Sequence, residues 1–71
     1  MQNGAIRRII RERGFGFIKM ADVPEDLFFH VSELQGVNFD LLKEGQSVEF
    51  KIGLGHKGLK AANVRLAKLK L

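Results

Sequence analysis

The chain contains no cysteine, threonine, tyrosine or tryptophan, and a single proline, in 71 residues. Without cysteine there is no disulfide framework, thiolate nucleophile or zinc knuckle, so a chain this short must be held by packing alone. Ser32 and Ser47 are the only side-chain hydroxyls, which leaves a poor inventory for nucleophilic catalysis. His30 and His56 lie far apart in sequence and have no cysteine to join them as metal ligands. These absences predict no catalytic residues, no metal and no cofactor. No apolar run reaches the length of a membrane span or a secretory signal, and the expected location is the cytoplasm.

What is present is one small basic domain. Twelve Lys and Arg against eight Asp and Glu leave a net charge of +4, which favours polyanionic partners, although positive charge also serves plain solubility. Eight glycines and turn-type clusters break the chain into short segments of the kind found in all-β barrels and sandwiches. Five strands are predicted. The first, 5–11, is ambiguous, because Ile6, Ile9 and Ile10 fit helical spacing as well as a distorted strand. Its isoleucines and the flanking Gly4 and Gly14 favour strand. The second, 14–20, alternates so that Phe15, Phe17 and Lys19 share one face and Gly14, Gly16 and Ile18 the other. The third, 26–31, places Leu27, Phe29 and Val31 in one row and Phe28 and His30 in the opposite row.

Ser32 is the expected cap of a single helical turn. A loop carrying Phe39 follows, and then a fourth strand over 47–52 whose inward set is Val48, Phe50 and Ile52. Residues 53–58 read as a glycine-rich hairpin connection into a fifth strand over 61–66. The letters Gly53-x-Gly55-x-x-Gly58 match a dinucleotide-binding pattern, but too little chain remains for the helix and βαβ unit that pattern needs.

Arg13-Gly14-Phe15-Gly16-Phe17-Ile18 follows the ribonucleoprotein consensus K/R-G-F/Y-G/A-F-V with isoleucine for valine. Aromatic rings at i and i+2 on one strand face lie roughly 7 Å apart, a spacing on which successive unpaired bases stack. Glycines beside them are expected to keep that platform uncluttered, and Arg13 stands where it can meet a phosphate. Antiparallel pairing of strands two and three would bring Phe28 and His30 beside Phe15 and Phe17. The plain alternative for these phenylalanines is core packing. Ile18, Leu27, Phe29, Val48, Phe50, Ile52 and Val64 already furnish a core, however, and the rings fall in the opposite rows.

With these motifs in order the chain resembles the cold-shock domain family, over Gly4-Ala5-Ile6-Arg7, Arg13 to Ile18, Leu27 to Leu34 with its Phe-x-His-x-Ser pattern, Leu42 to Phe50, and Lys57 to Val64. The resemblance implies a five-stranded antiparallel barrel of oligonucleotide-binding type over residues 1–66, followed by a short tail, 67–71. That tail either extends the last strand or leads into a longer parent chain. The resemblance also implies binding of single-stranded RNA and DNA, acting as an RNA chaperone or a transcription or translation regulator, without enzymatic activity, and a monomer is expected.

Carried over residue by residue, Phe15, Phe17, Phe28 and His30 match stacking positions, Phe39 the loop aromatic, and Arg7, Arg13 and Lys57 basic backbone contacts. Arg8 stands where the family usually has tryptophan, Ile9 where it has phenylalanine, and Val31 where an aromatic follows the histidine. Arg8 and Lys19 join the phosphate contacts in our reading, and the expectation is a binder with weaker base stacking and stronger salt dependence than a typical relative. The rival class is a protein-interaction module of the same fold, in which the aromatic surface docks a partner chain.

Overall fold

Gly14 adopts a left-handed φ of 73° and closes the 3₁₀ turn Arg11–Arg13 by donating its N–H to the Ile10 and Arg11 carbonyls. Glycine takes that conformation without the Cβ clash other residues meet. The turn reverses the chain from β1 (Gln2–Ile10) into β2 (Phe15–Lys19). The computed structural model describes residues 1–55 and 58–67. Within it β3 (Leu27–His30), β4 (Ser47–Gly55) and β5 (Gly58–Leu66) complete a barrel closed in the order β1-β2-β3-β5-β4.

Four of the five pairings are antiparallel, but β3 and β5 run parallel, with Phe28 opposite Lys60. This corrects the all-antiparallel expectation for a geometric reason: an odd number of strands closed into a ring cannot alternate direction at every neighbour.

The ambiguous isoleucines of β1 are explained by a bulge. Ile6 pairs with Ile18 and Arg8 with Phe17, so Arg7 is the extra residue and the alternation resets after it. Ile6 therefore points inward and, past the bulge, Ile9 opposes Gly16 while Ile10 opposes Phe15. A strand with one residue inserted imitates helical spacing.

The core holds Ile6, Ile18, Leu27, Phe29, Phe39, Leu42, Val48, Phe50, Ala61 and Val64. Ile52, expected inward, is 43% exposed. It pairs with Ala61, and beyond it Leu54 pairs with Leu59 and Gly55 with Gly58. Ala61 is itself fully buried, so Ile52 stands at the edge of the core, and past this pair the β4–β5 ribbon runs on to Gly55 and Gly58 with Leu54 and Leu59 exposed. Both strands are therefore longer than the sequence suggested. His56, Lys57 and residues 68–71, including most of the expected tail, lie outside the described residues.

Val31 leaves the strand row and begins a 3₁₀ turn, Val31–Glu33. Its cap is His30 rather than Ser32: the Ser32 backbone N–H donates to His30 Nδ1 at 3.1 Å. A third 3₁₀ turn, Phe39–Leu41, inserts Phe39 into the core. Among the described residues no helix is long and apolar enough to cross a membrane.

Candidate nucleic-acid interface

The register between β2 and β3 sets Phe15 opposite His30 and Phe17 opposite Phe28, while the alternate pairs Gly16–Phe29 and Ile18–Leu27 are buried. All four predicted stacking groups therefore share the outer face of one two-stranded ribbon. Phe15 and Phe17 are half-buried, and Phe28 and His30 are exposed. The three phenyl rings touch one another, with centroids 5.8 Å apart for Phe15–Phe17, 5.4 Å for Phe15–Phe28 and 6.1 Å for Phe17–Phe28. Their partial burial comes with these mutual contacts, in the tilted and edge-to-face geometries that aromatic quadrupoles prefer.

Gly16 has a different role from the expected one. A Cβ there would lie 2.6 Å from the Arg8 carbonyl oxygen and 2.7 Å from Phe29 Cε1. It faces the core and lets β1 and the Phe29 ring approach closely, so it supports the platform from beneath instead of clearing space above it.

His30 is fixed by its own turn. Nδ1 accepts from Ser32 N–H and lies 2.9 Å from Ser32 Oγ, which leaves Nε2 as the ring nitrogen available to a ligand. Phe39 is removed from the site: it is 9% exposed and belongs to the core. The Arg11 guanidinium holds its turn down by donating to the carbonyls of Phe39, at 2.9 Å, and Leu42.

The predicted basic residues divide by what they already touch. Arg7 pairs with Asp26 at 3.2 Å. Arg8, Arg13 and Lys19 are exposed and make no ion pair among the described residues. Lys57 lies outside those residues. Two neighbours of the rings were missed from sequence. Ile10 flanks Phe15, and Lys60, opposite Phe28 across the parallel pairing, bonds to Glu33 Oε2 at 3.2 Å. Nothing local in the sequence marks Lys60, because only barrel closure brings β5 to β3.

Glu33 also accepts the Asn63 N–H at 3.3 Å. That backbone bond, followed by the bond to Lys60, holds its carboxyl below the usual carboxylate range. Among the described residues no group of three or more His, Asp or Glu is placed to hold a metal ion.

Residues 2–67 match the family described as the 'Cold-shock' DNA-binding domain. The chain belongs to that family. It is 45% identical over 65 residues to a probable cold shock protein A of Mycobacterium tuberculosis, covering 92% of this chain and 97% of that one. It is 48% identical over 61 residues to the cold shock-like protein CspC of Escherichia coli, covering 86% and 88% of the two chains. Among solved structures, the Drosophila Unr CSD456 chain superposes with a TM-score of 0.76 at 24% identity. That match covers 94% of this cold-shock domain and 26% of the fly chain, and it bears on the fold alone. The aromatic cluster and the exposed cations beside it thus sit on a cold-shock barrel.

Proposed function

We propose that this cold-shock domain binds single-stranded RNA and DNA with little base preference. Bases stack on Phe15, Phe17, Phe28 and His30, while phosphates meet Arg7, Arg8, Arg13, Lys19 and Lys57. By occupying unpaired strands in the cytoplasm, as a monomer, it opposes hairpin formation, and the shift needs no ATP because a ligand of the open form moves the equilibrium by mass action. The domain proper spans 1–66, with 67–71 as a basic, apolar tail. No catalytic step is assigned to it.

The observation that carries this reading is the contiguous three-ring patch on an outer sheet face beside Arg8, Arg13 and Lys19, which have no ion-pair partner among the described residues. Titration of labelled seven-nucleotide thymidine or uridine strands, with a duplex for comparison, tests it. Tight binding of single strands and weak binding of duplex are expected. Phe17→Ala should reduce affinity about 5- to 150-fold, the equivalent of one base–aromatic stack, with little change in the unfolding midpoint. Unchanged affinity in that variant would point to a protein partner for the aromatic face.

A further inference from the structure

We infer that Arg8 reads guanine, giving an otherwise tolerant binder a preference at the one nucleotide whose edge overhangs β1. This rests on the strand-binding reading above. Arg8 is the cross-strand partner of Phe17 and shares its outer face, and the same row continues through Phe28 to Lys60. Its backbone is held, since the Arg8 carbonyl is packed against Gly16 just past the bulge. Its side chain is exposed and has no hydrogen bond or ion pair among the described residues.

The other arginines near this end of the barrel are differently placed. Arg7 is paired with Asp26, Arg11 is bonded to loop carbonyls, and Arg13 lies in the turn between β1 and β2, outside the ladder that carries the rings. Among the described residues only Arg8 combines an unengaged guanidinium with a position in register with a stacking ring.

A base lying on Phe17 extends its edge over the neighbouring strand, about 4.8 Å away. On an unpaired guanine that edge carries two adjacent acceptors, O6 and N7, which match the planar fork of a guanidinium. On the same edge thymine and uracil offer the single O4 acceptor, and the amino groups of cytosine and adenine meet a donor with a donor; the paired acceptors of an unpaired cytosine, N3 and O2, lie instead on its Watson–Crick edge. A lysine at the same place would supply charge without the paired geometry.

The test is a substitution series in the seven-thymidine strand, with one guanine, and separately one adenine, walked through each position and affinities read by fluorescence anisotropy. Guanine at one position, or at two adjacent ones, should tighten binding by at least about five-fold over thymine, and adenine should not. Arg8→Lys and Arg8→Ala should both bring the guanine-to-thymine ratio to within about two-fold of unity. Arg65→Lys, which alters an arginine paired with Glu49, should keep the ratio. A flat series in the parent protein, or a preference that survives Arg8→Lys, would overturn the assignment to Arg8 while leaving strand binding intact. Failure to bind any strand would overturn both.

Discussion

At the residue scale, the same side chain serves opposite ends according to one turn of the backbone. Phe39 and Phe28 are both phenylalanines in segments that resemble nucleic-acid-binding motifs, yet Phe39 is 9% exposed and Phe28 36%. Phe39 opens a 3₁₀ turn capped by Asn38, whose side chain accepts the Asp40 N–H at 3.0 Å, and that turn aims the ring inward. Phe39→Leu keeps most of the buried volume and removes the ring. It should lower stability by about 1 kcal/mol, as near-isosteric core changes do, and leave strand affinity within about two-fold. A loss of affinity in the folded variant as large as that of Phe17→Ala would return Phe39 to the binding surface.

At the scale of elements, Glu33 ties the 3₁₀ turn after β3 to β5 through Lys60 and the Asn63 N–H. Asn63 itself has a positive φ of 52°, a conformation that asparagine tolerates better than most residues. Because Glu33 titrates below the usual carboxylate value in the folded protein, its contribution is full above that value and fades as pH falls through the lower, folded-state one. Urea midpoints measured from neutral pH down to about pH 3 should fall less steeply for Glu33→Gln than for the parent. Parallel curves would show that the pH dependence lies in other carboxylates. This link also holds Lys60 beside Phe28, so the turn that positions His30 and the cation at the far edge of the rings are one connected unit.

At the scale of the whole molecule, a net charge of +4 says only that polyanions are welcome; how many phosphates are met depends on which cations are unengaged. Arg8, Arg13 and Lys19 meet that condition among the described residues near the rings. If each neutralises one phosphate, these three alone make the logarithm of the binding constant fall with the logarithm of salt concentration with a slope of about −2, and any contact from Arg7 or Lys57 steepens it. Titrations at several salt concentrations check this. A slope near zero would mean that stacking alone holds the strand and that the arginines are bystanders.

Local pattern was enough for the outward placement of Phe15, Phe17, Phe28 and His30, because side chains alternate with period two along any strand and glycine or large apolar residues occupied the other row. It was also enough for an all-β chain of five short strands and their turns, while the choice of a barrel over a sandwich rested on the resemblance to the cold-shock family. Local pattern could not show the bulge at Arg7, the parallel β3–β5 pairing, the exposed end of the β4–β5 ribbon at Ile52, or the inward turn of Phe39. Each of those depends on where a distant strand or loop comes to lie, and distance along the chain carries no record of that until the barrel closes. Tertiary structure alone decided which arginines were engaged, because an ion pair such as Arg7–Asp26 and a carbonyl clamp such as Arg11 on Phe39 and Leu42 form between residues that only folding brings within reach.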